Sequence, residues 1–424
     1  GSRAHLPSAP GPRRVAMAPA PAPWLRHSRR QAASTAAAAC VLAAGSAAAE
    51  GGADYGQYFS VYAHPDIHRQ MLQDRLRTEA YAEALLKEPA VVRGKTVLDF
   101  GCGTGILSLF AARAGAQRVI CVEGSDLASV TEKVVARNNF SSVVHVMRTT
   151  HDKLKLPGKV DVIVSEWMGY FLVMEDMLSD LLEVRDRWLK PGGILWPRYA
   201  QLWLQPYGDA EWWRENVGYW DSRPYGFDLS PVGTHAFKET KEWPWPIRSQ
   251  WRPAGLTGQP HMVCDWDLQS LRMPKSFKLA SRFRTPVNGT VHGLLIWFDM
   301  VFDHPEGNVT LSTHPAQGVQ HWGQIFWPLR GAPLESPTLR IEGSFRMRRR
   351  PPAWDFALSW RAPPLVTETK EARALELQVE HFTTPDEWTA RRSLEAFLAV
   401  SQGGRGVGEP TGTPLHQATR TAEL

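Results

Sequence analysis

From Thr96 onward the chain alternates short apolar strands with helical stretches, and this rhythm limits the possible folds more than any other feature. Thr96–Phe100, Arg118–Glu123, Val143–Met147 and Val160–Ser165 read as strands, while Gly105–Ala114, Leu127–Asn138 and Met174–Leu189 read as helices that separate or follow them. A largely apolar run such as Val160-Asp161-Val162-Ile163-Val164 suits a strand covered on both faces. Alternation of this kind predicts a doubly wound parallel sheet. Ahead of it, Ile67, Met71, Leu72 and Leu76 recur at helical spacing in a stretch running from about Asp54 to Leu86. Behind it, Lys190-Pro191-Gly192-Gly193 supplies the breakers expected at a helix end. After Pro197 the helical period fades, and Trp, Pro and β-branched residues become frequent. Alternating runs such as Val291–Phe298 predict antiparallel strands in a sandwich or barrel, with Ala210–Val217 as a helical insert. Thr389–Val400 reads as a short helix ahead of a Gly/Thr-rich tail.

A length of 424 residues is enough for two domains with separate cores, and 43% hydrophobic with 21% charged residues fits a globular protein. The net charge of +5 lies in the leader: residues 1–50 hold six arginines and one acid, Glu50, which leaves 42 basic and 42 acidic side chains for the rest. The body therefore lacks the basic excess of a nucleic-acid binder. Its one basic run, Arg346, Arg348, Arg349 and Arg350, reads as a solvated loop between strands. Residues 1–49 contain no acid and are rich in Ala, Pro, Arg and Ser, the composition of a disordered tail. From Met17, however, Arg26, Arg29 and Arg30 precede an Ala-rich stretch, Ala32–Ala49, as in a targeting peptide, and both readings stand. No apolar run approaches the roughly 18 residues of a membrane span. Cys40, Cys102, Cys121 and Cys264 form no C-x-x-C pair and are too scattered for a zinc site or a disulfide framework, which points to a reducing compartment.

Two segments carry chemistry. In the first, Thr96–Phe100 runs into Gly101-Cys102-Gly103-Thr104-Gly105, where glycines let the backbone turn tightly and approach a ligand. Glu123, at the end of the next strand, is placed to accept hydrogen bonds from both hydroxyls of a ribose. The nicotinamide fingerprint would need glycine at position 106, where Ile106 stands. The pattern that begins at Asp99 instead resembles the first motif of S-adenosylmethionine-dependent methyltransferases. In the second segment, Glu166 ends the strand that starts at Val160, and Glu175 follows nine residues later on the connecting loop. Two carboxylates facing one pocket are costly unless a cation lies between them or one keeps a proton. A planar guanidinium, with five donors in a fixed fork, suits such a pair.

Over roughly residues 55–384 the chain resembles the type I protein arginine methyltransferases. Five segments match in order: Tyr58-Phe59-Ser60-Val61-Tyr62, the loop within Val97–Leu107, Ser165–Glu175 with its Trp-Met-Gly-Tyr core, Tyr225-Gly226-Phe227-Asp228, and Gln320-His321-Trp322. The resemblance implies an α/β plus β fold. A disordered leader over 1–54 would precede N-terminal helices and a Rossmann-like S-adenosylmethionine-binding domain over 55–197. A β-barrel substrate domain would span 198–384, followed by a tail over 385–424. A helical dimerisation arm at about Tyr207–Arg223 would use Trp212, Trp213, Tyr219 and Trp220 to build a head-to-tail homodimer, and Pro197 would be a cis-proline between the domains.

The same resemblance implies roles. Glu166, Glu175, His321 and Asp74 would be catalytic. Tyr62, His68, Met71, Arg77, Asp99, Gly101, Gly103, Glu123 and Asp152 would hold the cofactor, with Arg77 on its carboxylate. Tyr58, Met168, Met177 and Trp322 would face the substrate, and Met71 and Met177 would leave room for asymmetric dimethylation. Asp152 stands where the family usually has glutamate near the adenine, and Gln320 where it usually has threonine. The implied reaction is methylation of arginine in Gly/Arg-rich segments and histone tails, in cytoplasm and nucleus, with no membrane, nucleic-acid or metal partner. A pseudoenzyme scaffold that regulates an active partner is the alternative, as is a methyltransferase for nucleic acid or a small molecule, whose Asn/Asp-Pro-Pro-aromatic motif is absent.

Overall fold

The computed structural model describes residues 55–87, 89–239, 247–248, 251–328, 334, 339–351, 353–362 and 378–383, together with Gly1. The leader, the helix expected at Thr389–Val400 and the tail lie outside the described residues.

Three short helices open the described chain: α1 (Tyr55–Tyr62), α2 (Pro65–Gln73) and α3 (Arg75–Leu86). Their boundaries are set by local chemistry. Pro65 opens α2, where its missing N–H costs nothing, and the His64 ring accepts from the Asp66 N–H. Asp74 ends α2 and caps α3, its carboxylate accepting from the Arg77 N–H at 3.1 Å.

Next come β1 (Thr96–Phe100), α4 (Ile106–Arg113), β2 (Arg118–Glu123), α5 (Ala128–Arg137), β3 (Val144–Arg148), β4 (Val160–Val164), α6 (Met177–Trp188) and β5 (Leu189–Trp196). The five strands form a parallel sheet in the order β3-β2-β1-β4-β5. The chain reverses its direction of travel on either side of β1, so a crevice opens at the carboxyl ends of β1, β2 and β4, where sheets of this type bind ligands. The expected breakers do not end α6. That helix stops at Trp188, and Lys190–Gly193 already belongs to β5, where an irregular register between Val160 and Val162 absorbs the turn at Gly192.

A cis peptide, Trp196-Pro197, leads into the second half. This contains β6 (Tyr199–Tyr207), α7 (Ala210–Asn216), α8 (Ser230–Glu239), β7 (Ile247–Arg248), β8 (His261–Asp267), β9 (Lys278–Val287), β10 (Gly293–Phe302), β11 (Val309–Ser312), β12 (Gln324–Pro328), β13 (Leu339–Arg350), β14 (Ala353–Arg361) and β15 (Gln378–Thr383). Two antiparallel sheets result, one in the order β7-β12-β10-β6-β8 with β11 on β10, the other β15-β14-β13-β9. The helix α8 has no counterpart in the sequence reading. The arginine run is not a loop but the end of β13, with Arg346, Arg348 and Arg350 exposed and Arg349 buried.

Two features depart further from expectation. Cys102 and Cys121 form a disulfide, because the crossover places the loop after β1 against β2: the N–H groups of Gly101 and Cys102 both donate to Val122 O. The 19-residue separation hides this neighbourhood in the sequence. Trp212 does not face outward as an arm contact. It is buried in a small satellite core with Tyr207, Trp251, Leu295 and Phe326.

The segment between β4 and α6 joins the halves. Phe171 and Leu172, both buried and both at positive φ (54° and 68°), reach into the antiparallel domain. The Phe171 ring stacks on Phe356 at 4.3 Å and meets Phe345 and Trp327 at 6.0 and 6.3 Å. Bulky residues in the left-handed region cost roughly 1–2 kcal/mol each, so packing must hold them there. Replacing Phe171 by Ala should lower stability by about 3–5 kcal/mol, measured by denaturant unfolding.

Candidate active site

The crevice at the strand ends is a cavity walled by α1–α3, the loop after β1, the ends of β2 and β3, and the segment 166–177. It is lined by Tyr58, Tyr62, His68, Met71, Arg77, Gly101, Gly103, Glu123, Glu166, Met168, Glu175, Met177, His321 and Trp322, all expected from the sequence. Of the remaining candidates, Asp74 stands behind His321, while Asp99 and Asp152 are not part of the lining. Asp99 is buried and accepts from Ser108 Oγ at 2.7 Å, and burial pushes its carboxyl up to about 7. Asp152 is exposed; the preceding residue, His151, lines the cavity instead, with Thr149 and Thr150. These residues lie beyond the end of β3, and the turn at 151–153 carries Asp152 out to solvent. Asp180, one turn into α6, also reaches the cavity and lies 3.2 Å from His151 Nδ1. Spacing along α6 from Met177 could have indicated it.

The glycine loop is built for close approach. Gly101 and Gly103 have φ of 76° and 52°, and a Cβ on them would meet Met177 Cε at 2.5 Å or His68 Cε1 at 3.0 Å. Glu123 directs one oxygen to the Gly103 N–H at 2.9 Å and the other to the Ser125 N–H at 2.7 Å. Each oxygen retains a lone pair, so paired hydroxyls can still donate to it. This donor and acceptor set fits the adenosyl part of S-adenosylmethionine.

Glu166 and Glu175 face the same cavity and are held differently. Glu166 Oε2 accepts from Arg77 Nε at 3.0 Å and Nη2 at 2.8 Å, in a pair that is over nine-tenths buried. Arg77 was expected on the cofactor's carboxylate; here its guanidinium lies on Glu166. Glu175 Oε2 accepts from Tyr62 Oη at 2.6 Å. Desolvation, with the Glu166 charge adding to it, pushes Glu175 up to about 8 against the opposing pull of the tyrosine hydroxyls. The same burial, with Glu175 nearby, raises Tyr58 and Tyr62 well above the ordinary phenol. The carboxylates are thus tolerated by the two routes that physics allows, a buried cation on one and a proton on the other. Gly169 makes room for them: a Cβ there would lie 2.8 Å from Glu175 Cγ.

His321 enters from the antiparallel domain. Its Nδ1 lies 2.7 Å from Asp74 Oδ2, which also accepts the His321 N–H at 2.9 Å. Burial acts to raise the Asp74 carboxyl, but the hydrogen bonds from His321 and Arg77 prevail and hold it below the ordinary range. Trp322 Nε1 donates to Met168 O at 2.8 Å, fixing the segment between the glutamates.

The comparisons with known proteins agree with this geometry. Residues 198–362 match the arginine methyltransferase oligomerization subdomain, and residues 80–197 match the ribosomal protein L11 methyltransferase family. Protein arginine N-methyltransferase 1 of Schizosaccharomyces pombe is 38% identical over 269 residues, 63% of this chain and 77% of that one. The Dictyostelium discoideum protein of the same name is 35% identical over 274 residues, 64% and 78% of the two chains. Among solved structures, Arabidopsis thaliana protein arginine methyltransferase 10 superposes with a TM-score of 0.66 at 27% identity, covering 77% of this chain and 100% of that one. The Trypanosoma brucei PRMT1 enzyme–prozyme complex with AdoHcy gives 0.65 at 29% identity, over 76% and 99%. The chain belongs to the protein arginine N-methyltransferase family. It is an enzyme that uses S-adenosylmethionine to methylate arginine guanidinium nitrogens in proteins.

The state of Glu175 yields a test. A cationic guanidinium favours the ionised carboxylate, so binding shifts the proton equilibrium of a group whose ligand-free value is about 8. An arginine peptide binding at pH 7 should release nearly one proton per site, and almost none at pH 9, while its affinity rises as pH climbs through about 8. Titration calorimetry in two buffers of different ionisation enthalpy measures this directly.

Proposed function

We propose that Glu166 and Glu175 grip the guanidinium of a substrate arginine, and that the product is mono- and then asymmetric dimethylarginine in Gly/Arg-rich segments and histone tails. The convergence of the two carboxylates on one cavity wall, beside the glycine loop and Glu123, carries this reading. Bound S-adenosylmethionine supplies an electrophilic methyl carbon. The chain's own contribution is alignment: two carboxylates hold two nitrogens and aim the third, an effect worth on the order of 7–11 kcal/mol in favourable intramolecular models. Hydrogen bonding to carboxylates also draws positive charge away from the attacking nitrogen. Glu175, or His321 through Asp74, takes the proton that must leave. Tyr58, Met177 and Met71 border the space beside the clamp, and Tyr58 Oη lies 4.0 Å from Met177 Sδ, which leaves a soft wall for a methylated nitrogen.

Partner binding follows from the arm. Tyr219, Tyr225 and Phe227 are 42%, 94% and 70% exposed on the stretch between α7 and α8, with Val232 exposed on α8. Large apolar groups displayed together mark an interaction surface. A second copy of this chain is the occupant this reading assigns to them, with Trp212 supporting the arm from inside.

Glu166→Gln and Glu175→Gln should each abolish methylation of a Gly/Arg-rich peptide while cofactor affinity stays nearly unchanged. Full activity in either variant defeats the clamp, and chromatography of hydrolysed product distinguishes asymmetric from symmetric dimethylarginine. A Tyr225→Glu/Phe227→Glu variant should sediment as a monomer where the parent sediments as a dimer; unchanged sedimentation removes these two side chains from the interface.

A further inference from the structure

The inside face of β13 runs Phe345, Met347, Arg349, so a guanidinium occupies the third position of an otherwise apolar row. Arg349 is 8% exposed, and burying such a charge is unfavourable unless it is fully paired. Its partner is Asp176, also 8% exposed. Nε donates to Oδ1 at 2.9 Å and Nη2 to Oδ2 at 2.8 Å, in the two-pronged geometry that only arginine offers. Trp354 Nε1 donates to Oδ1 at 3.1 Å, and Ser179 Oγ to Oδ2 at 3.3 Å. Asp176 directly follows Glu175 and has φ 53° and ψ 12°, a left-handed conformation that a residue other than glycine keeps only when held.

We propose that Arg349 is a positioning residue for Glu175: by holding the Asp176 carboxylate from the antiparallel sheet, it fixes the backbone at which Glu175 turns into the cavity. The proposal rests on the reading that Glu175 grips the substrate. One peptide unit separates the two acids, so a change in the Asp176 backbone is carried to the glutamate carboxylate with little attenuation. The other acid acting on Asp176 is Asp180, on the next turn of α6, whose repulsion the arginine offsets. The arginine thus makes the clamp geometry depend on the substrate domain, although both glutamates lie between elements of the cofactor domain.

The test uses the full chain carrying Arg349→Met, Arg349→Lys, Asp176→Asn or the Arg349→Met/Asp176→Asn pair, with Glu175→Gln as control. The readouts are kcat and KM on a Gly/Arg-rich peptide, Kd for S-adenosylhomocysteine, and Tm. Arg349→Met should lower kcat by about 100-fold, the scale of an ångström-level misplacement, with Kd for S-adenosylhomocysteine within about twofold. Arg349→Lys, which keeps the charge but not the fork, should recover only part of the loss. The double variant leaves no buried charge behind, so it should regain the Tm that the single variants lose, yet not the kcat. Wild-type kcat in Arg349→Met, or kcat returning together with Tm in the double variant, overturns the proposal. Where a single variant does not fold, the double variant decides by the same criterion. A fully active Glu175→Gln would instead show that the clamp reading itself is at fault.

Discussion

Two carboxylates cannot share a desolvated cavity without compensation, and the arrangement of this protein follows from how that repulsion is managed. Arg77 neutralises Glu166 from α3, and Glu175 is left to hold a proton at neutral pH beside Tyr62. Both solutions are provisional in the chemical sense. In the proposed clamp, each is exchanged for a cation delivered from outside, and the unfavourable pair of acids then serves as a receptor for guanidinium. The aromatic wall of Tyr58 and Tyr62, with ring centroids 4.7 Å apart, keeps the exchange in a medium of low polarity, where it is worth most.

Keeping such a pair in register demands support from both domains. The parallel sheet fixes Glu166 at the end of β4, where Ser165 Oγ donates to Phe100 O and Tyr81 Oη to Ser165 O. The antiparallel domain secures the other end, with Phe171 between Phe356 and Trp327, Trp322 on the Met168 carbonyl, and Arg349 on Asp176. Three residues of this segment at positive φ show that its shape is imposed by its surroundings rather than chosen by its own sequence.

What could be read in the sequence was whatever depends on a short period or a fixed local pattern. The strands of the parallel sheet are legible because each is a compact apolar run; β1 and β2 have the expected ends. The cavity lining was legible through motifs whose residue types carry their own chemistry, such as Glu123 or the paired glutamates. The failures concern contacts across distance and the choice between faces. Nothing local indicates that Cys102 meets Cys121, that Trp212 turns inward, or that Arg349 is the inward member of a basic run, although the alternation along β13 held a hint. Asp152 lies one position beyond the cavity lining, and Asp99 lies behind it with one carboxylate oxygen on Ser108.

Asp74 serves both halves: one oxygen caps α3, and the other takes two N–H donors from His321, 247 residues further along. A ribosome makes the first partner well before the second, at about 5–20 residues each second. For that interval the carboxylate has its helix but not its histidine. The cavity's outer rim is therefore begun early and completed late, and a nascent chain halted before residue 321 lacks one of the links that tie its opening helices to the rest.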